Sequence, residues 1–352
     1  MEFYKDKRVL ITGHTGFKGS WLAVWLNRLG AQVVGFAQDP YTEKDNFVLS
    51  KIGEKITDIR GDIRDINQIK NVFEKYRPEI VFHLAAQPLV RLSYSCAVET
   101  YETNVMGSVY LMEAFRSSPS AKVAVMITSD KCYENREQFT PYCENDAMGG
   151  YDPYSSSKGA AEIAISSWRR SFMNLAEYHL HGKSIASARA GNVIGGGDWT
   201  KDRIIPDCIR AIESDVAIEI RNPEAIRPWQ HVLEPLSGYL LLAQKMWENP
   251  AGFCEGWNFG PKPDSIANVG EIANRIIHNY GKGEVKNTGL NDNLHEAKLL
   301  TLDITKSQSQ LKWEPRLTLD ETVEFTVEWY KKYRTESVYD LCVGQILKYV
   351  GK

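Results

Sequence analysis

Residues 12–19 read Thr-Gly-His-Thr-Gly-Phe-Lys-Gly, and the fold turns on them. Gly13, Gly16 and Gly19 recur at every third position. Just before them, residues 8–12 (RVLIT) form a short apolar run that suits a buried strand. Just after them, Phe17, Trp21, Leu22, Trp25 and Leu29 fall on one face of a helix over residues 17–29, which Gly30 is placed to end. A strand, a glycine turn and a helix in that order make a phosphate cradle. Without Cβ atoms the chain can turn tightly, approach a pyrophosphate and pack the helix close to the strand. The free N–H groups of the first helical turn then face the phosphates.

The same alternation continues outward. Strand patterns fall at residues 32–36, 59–63, 80–84, 123–128 and 184–188. Helical patterns fall at 66–76, closed by Pro78, and at 101–116 and 154–172. Strands alternating with helices predict an α/β fold, a Rossmann-type doubly wound parallel sheet with helices on both faces. Ligands then sit at the carboxyl ends of the strands. After Asn192 the pattern loosens into the Gly195–Gly197 loop and short pieces punctuated by Pro206, Pro223, Pro228, Pro235, Pro261 and Pro263. Residues 1–190 are expected to hold the dinucleotide. Residues 191–352 are expected to form a smaller, mixed substrate lobe interleaved with the sheet.

An acidic residue about 20 positions beyond the glycines normally holds the adenosine ribose. Asp39 has that spacing, although it could equally be a turn residue before Pro40. No Arg stands in this loop to receive a 2′-phosphate, which favours NAD over NADP. Asp62 could accept from the adenine amino group or simply cap the next helix. Tyr154 and Lys158 are four apart, on one helical face. The ammonium is expected to lower the phenol's pKa, so that it can exchange a proton with a sugar hydroxyl while the nicotinamide takes a hydride. The fifth strand runs into Thr128-Ser129-Asp130-Lys131, which puts a hydroxyl, an acid and a base at its carboxyl end.

The bulk figures bound the function. In 352 residues, 43% are hydrophobic and 25% charged, an ordinary globular balance. A net charge of −3 shows no basic excess for nucleic acid. No apolar run approaches the ~18 residues of a membrane span. The charged start resembles no signal peptide, and the six scattered cysteines read as reduced thiols, so a soluble cytoplasmic protein is expected. No metal is expected, because His179 and His181 lack a third ligand and His295-Glu296 lacks a second histidine.

These motifs resemble the extended short-chain dehydrogenase/reductase family over nearly the whole length. They are TGHTGFKG, Asp62, HLAAQ at 83–87, Asn104, Ser129, YSSSK at 154–158 and RAGNVIGGGDW at 189–199. Within that family the chain is similar to the nucleotide-sugar 4,6-dehydratases. HLAAQPLVRLSY, TSDKCYENRE, MGGYDPYSSSKG and RNPEAIRPWQHVLEPLSGY resemble their CDP-linked branch, so CDP-glucose is the expected substrate. The resemblance implies that Ser129, Asp130, Lys131, Tyr154 and Lys158 are catalytic. It places the cofactor against Gly13, Thr15, Gly16, Phe17 and Gly19, against Asp39, Asp62 and Ile63, and against Leu84, Ala85 and Ala86. It places the substrate near Gln87, Arg91, Asn192, Arg203, Arg227 and His231, although each Arg could be solvated and His231 could merely pack. Related dehydratases carry an Asp-Glu pair where this chain has Asp130-Lys131. Lys131 is therefore either the C5 base or a stabiliser of the enolate. A homodimer or homotetramer and a place in making deoxysugars for a surface polysaccharide are also implied. A 4-epimerase would share Tyr154 and Lys158 but has no need of Asp130-Lys131. An NAD-binding sensor would have no need of the Tyr–Lys pair.

Overall fold

The computed structural model describes residues 2–287 and 299–352; His295 and Glu296 lie outside them. Seven strands form one sheet: β1 (Arg8–Thr12), β2 (Gln32–Ala37), β3 (Thr57–Arg60), β4 (Ile80–His83), β5 (Val123–Ile127), β6 (Ser184–Arg189) and a seventh, Gly256–Asn258. Their spatial order is seventh, β6, β5, β4, β1, β2, β3, and every neighbouring pair is parallel. The order reverses beside β1, so a crevice opens between β1 and β4 at their carboxyl ends.

The inner strands are apolar throughout because both faces are covered. Every residue of β4 and β5 is buried. Alternate residues serve opposite cores. Val9, Ile11, Val123, Val125 and Ile127 join a core with Trp21, Trp25, Trp329 and Tyr349, whereas Leu10, Ala124 and Met126 pack with Phe36, Phe73, Phe115 and Ile165. The first helix, Phe17–Arg28, ends as expected at Gly30, which has a left-handed φ of 78°.

Two elements differ from the sequence reading. The third strand was expected at 59–63 but spans Thr57–Arg60, because as the sheet's edge it is mostly exposed and carries no apolar signature. The helix expected at 101–116 comes in three parts: Ala97–Tyr101, a π-helical turn at Glu102–Met106, and Gly107–Ser117. The wide turn contains Asn104, whose side chain accepts from Gln87 N at 2.8 Å and donates to Gln87 O at 3.1 Å and Ser157 Oγ at 2.9 Å. π-turns of this kind often mark functional sites.

The second half contributes short paired strands, among them Val193–Ile194 beside Gln230–His231 and Ile226–Pro228 beside Ile266–Asn268. It also supplies the seventh strand of the main sheet, and its last helices, Leu319–Lys332 and Val338–Val350, pack into the core around the first helix. Among the described residues no helix is long and apolar enough to cross a membrane, and all six cysteines are free thiols.

Candidate active site

A cleft of about 1100 Å³ runs across the carboxyl ends of the strands and under the second half of the chain. At one end lies the glycine loop. Gly13 has φ 77°, and a Cβ there would fall 2.7 Å from Ala85 N. A Cβ on Gly19 would fall 2.1 Å from Gly13 O. Both positions therefore require glycine. Gly16 precedes the helix in extended conformation, with no side chain capping the first turn, so those N–H groups face the cleft unsatisfied. Phe17 and Thr15 line the same wall, and the Thr15 hydroxyl donates to Gln38 O at 3.0 Å. Leu84, Ala85 and Ala86 line it from the end of β4.

Asp39, Asp62 and Ile63 line the end where an adenosine would lie. Asp62 accepts from Gln38 Nε2 at 2.9 Å and from the Arg64 guanidinium at 2.6 Å, which holds its carboxyl below the usual range. It does not cap the following helix. Asp65 does, accepting from Asn67 N and Gln68 N. Asp39 is 86% exposed and faces Arg60 Nε at 3.5 Å. The Asp39 loop carries no arginine of its own, but the neighbouring strand brings Arg60 alongside it, a contact that sequence order hides. The open helix end and the bare glycine backbone fit a dinucleotide's diphosphate.

The reacting groups meet at the centre. Asp152 caps the helix Pro153–Ser171, accepting from Ser155 N at 2.9 Å, and so fixes the first turn that carries Tyr154. Lys158 follows one turn later, its Nζ 6.0 Å from the Tyr154 ring centre. Among the described residues its ammonium has no hydrogen-bond or ion-pair partner. Burial pushes Lys158 down to about 8 and Tyr154 up to about 12. This corrects the expectation that Lys158 lowers the phenol. Burial raises the phenol most, the charges of Asp130 and Asp152 add to it, and the nearby Ser129 hydroxyl and the Arg203 charge oppose it without overcoming it.

Ser129 Oγ donates to Asp130 Oδ1 at 2.8 Å and accepts from Lys131 N at 3.2 Å, in the tight turn that follows β5. Asp130 is 4% exposed, and Lys131 lines the cleft beside it. Beneath them Glu162, one turn beyond Lys158, pairs with Arg189 at 2.8 Å and accepts from Thr128 at 2.5 Å and Ser187 at 2.7 Å. Although burial pushes its carboxyl up, Arg189 holds it below the usual range. Sequence reasoning missed Glu162; its spacing from Lys158 was the available signal.

The substrate side is mixed. Asn192 lines the cleft with a left-handed φ of 49°. Arg203 lines it too, paired with Asp198 at 2.7 Å, as does Arg91, 3.9 Å from Asp202. Arg227 borders the far end, bonded to Ile226 O. Gln87 reaches the wall, but its amide bonds Leu89 and Thr100. His231 is a correction. It is wholly buried, edge-on to Trp21 at 5.9 Å and Phe325 at 5.5 Å, because the strand Gln230–His231 runs through the core with both its residues covered. Lys18, in the glycine loop, also lines the cleft and was missed; burial, Arg203 and Lys158 together bring its ammonium down to about 8.

A Rossmann-type sheet whose cleft joins a glycine cradle to a Ser129, Tyr154 and Lys158 set defines an extended short-chain dehydrogenase/reductase. Residues 10–326 match the family described as GDP-mannose 4,6 dehydratase, and the chain belongs to it. It is 50% identical over 331 residues to the CDP-glucose 4,6-dehydratase of Salmonella typhimurium, covering 94% of this chain and 92% of that one. It is 25% identical over 345 residues to the dTDP-glucose 4,6-dehydratase of Haemophilus influenzae, covering 92% and 97%. The solved structure of MoeE5 in complex with UDP-glucose and NAD superposes with a TM-score of 0.77 at 25% identity, covering 93% and 100%.

Proposed function

We propose that the chain is an NAD-dependent CDP-glucose 4,6-dehydratase, a hydro-lyase that converts CDP-glucose to CDP-4-keto-6-deoxyglucose. The observation that carries the reaction class is the placing of Asp130 and Lys131 beside Ser129 and Tyr154 in one cleft. An epimerase needs only the Ser–Tyr–Lys set. CDP as the nucleotide rests on the 50% identity to the Salmonella dehydratase, against 25% to the dTDP-linked one.

Bound NAD supplies a hydride acceptor for C4 and a donor for C6. The chain's residues move the protons. Ser129 holds the sugar O4 and Tyr154 takes its proton, the Lys158 ammonium and the positive charge of the oxidised cofactor together offsetting the burial that raises the phenol in the free chain. The 4-keto group acidifies C5, and the Lys131 amine takes that proton. Asp130, protonated, donates to the departing O6 hydroxyl. Arg203 and Asn192 face the diphosphate, and Arg91 and Arg227 lie further along the cleft towards the nucleoside.

The finer roles belong to the same proposal. The enzyme acts in the cytoplasm, in the making of deoxysugars for a surface polysaccharide. It works as a homo-oligomer, pairing through the helices that expose Val98, Met106 and Ile163. Sedimentation of the purified chain tests the last point; a monomer at micromolar concentration would oppose it.

The test of function offers CDP-, dTDP-, GDP- and UDP-glucose in turn with NAD, and follows the mass of the product. Loss of one water from CDP-glucose is expected. Loss from another nucleotide sugar alone would keep the mechanism and remove the CDP assignment. Isomerisation without mass loss would make the chain an epimerase.

A further inference from the structure

A single buried guanidinium holds both ends of the turn that carries Ser129, Asp130 and Lys131. Arg189 ends β6. Its Nη2 donates to Glu162 Oε2 at 2.8 Å, and the other oxygen of that carboxylate accepts from the Thr128 hydroxyl at 2.5 Å. Thr128 immediately precedes Ser129. Arg189 Nη1 donates to the Tyr133 hydroxyl at 2.7 Å. Tyr133 closes the turn, its N–H reaching Asp130 O at 3.4 Å. Arg189 thus grips the turn on its Ser129 side through Glu162 and on its Lys131 side through Tyr133. Neither Arg189 nor Tyr133 lines the cleft, so both act at a distance from the substrate.

The Tyr133 arm is anchored in the second half of the chain. The phenol is wholly buried and donates to Asn258 Oδ1 at 2.7 Å, at the end of the seventh strand. Asn258 Nδ2 donates onward to Tyr142 O at 2.9 Å and Asp303 O at 3.1 Å. The Tyr142 ring stacks on Tyr133 with centres 5.4 Å apart. Burial pushes the Tyr133 pKa far up, so the phenol keeps the proton that it gives to Asn258. Accepting from Arg189 and donating to Asn258, the hydroxyl is fixed in both directions. The turn itself has little room. A Cβ on Gly159 would fall 3.1 Å from Cys132 O, and one on Gly191 would fall 1.9 Å from Asp130 Oδ2.

We propose that Arg189 is a positioning residue with two separable arms: through Glu162 and Thr128 it sets Ser129 for oxidation at C4, and through the Tyr133 hydroxyl it sets Asp130 and Lys131 for the loss of water. The inference rests on the dehydratase reading given above. The two arms meet the turn at opposite ends. Thr128 is bonded to the neighbour of the group that holds O4, whereas Tyr133 bonds the backbone of the acid and follows the base by two residues. Misplacing a reacting group by about 1 Å can cost about 100-fold in rate. Loosening either arm therefore slows the step served by that end of the turn.

The test compares Tyr133→Phe with Thr128→Val in the full-length enzyme with NAD and CDP-glucose. Each variant removes one hydroxyl and keeps the shape of the side chain. In Tyr133→Phe, kcat should fall by roughly 10–100-fold. The absorbance of the reduced cofactor should accumulate in a single turnover, and the isotope effect from deuterium at C5 should rise. In Thr128→Val, kcat should fall without accumulation, and the isotope effect from deuterium at C4 should rise instead. A role in folding alone lowers the unfolding midpoint but does not divide the two steps between the variants. Wild-type kcat in Tyr133→Phe overturns the proposal, as does the same step slowed in both. If Tyr133→Phe does not fold, Thr128→Val decides alone: slowed oxidation without accumulation supports the division, and accumulation or an unchanged kcat overturns it. If the unmodified chain dehydrates no sugar nucleotide, the proposed function falls as well; normal dehydration beside variants that are unaffected or slowed alike overturns this inference only.

Discussion

Glu162 and Arg189 form a charged pair that is almost wholly buried, 4% and 6% exposed, beneath the reacting groups. Removing one member of such a pair leaves the other unpaired in a medium that solvates it poorly. Glu162→Gln is expected to cost about 3–5 kcal/mol, and it should slow turnover as well, because Thr128 loses its anchor next to Ser129. Denaturant midpoints of the variant measure the first effect, and an unchanged midpoint would contradict it. The buried histidines carry a second expectation. Burial holds His83 and His231 near 3, with Lys158 adding to the effect at His83. Unfolded, each titrates near 6.5, so the fold's preference for neutral imidazole is fully present above that value. As pH falls below about 6.5, the unfolded chain takes up protons that the fold refuses. Each histidine then removes about 1.4 kcal/mol of stability per pH unit. His231→Phe should flatten the loss between pH 6.5 and 5, and an unchanged slope would count against it. At this scale the sequence revealed residue types better than directions. His231 stands four positions from Arg227, yet it lies on a strand whose two residues are both buried in the core. Glu162 was visible as a residue four past Lys158, but its burial and its partner across the sheet were not.

The helix Pro153–Ser171 shows how an element presents chemistry. Asp152 satisfies the N–H of Ser155, and its other oxygen accepts from the Ser155 hydroxyl at 2.6 Å. Tyr154 stands in this first turn. Asp152→Ala is expected to cost about 1 kcal/mol as a lost cap. It should also lower kcat more than KM, because the phenol is loosened while the substrate lobe is untouched. Steady-state kinetics alongside thermal unfolding would separate the two, and a pure KM effect would contradict the assignment. Elements were legible where burial was uniform. β1, β4 and β5 read as continuous apolar runs because helices cover both their faces. β3 did not, because it is an exposed edge. The two- and three-residue strands after Asn192 were invisible, being too short to show any period. The three-part helix over residues 97–117 was read as one, since a π-turn alters the ladder without changing the apolar spacing.

One apolar core on the first face of the sheet joins Val9 and Ile11 of the opening strand to Trp329 and Tyr349 near the end of the chain. The whole molecule is therefore expected to unfold in a single transition, and two resolved calorimetric peaks would contradict this. The seventh strand sharpens the point. Gly256–Asn258 covers the outer edge of β6, yet 66 residues separate it from Arg189. On the ribosome, at roughly 5–20 residues per second, β6 waits about 3–13 s with its edge bare. A bare strand edge invites pairing with another chain. Fragment 1–190, made alone, should therefore self-associate, whereas the full chain should not; light scattering of the two would decide. During synthesis the open edge is a window in which a crowded polysome, a chaperone or a neighbouring nascent chain competes for the place that residues 256–258 will take.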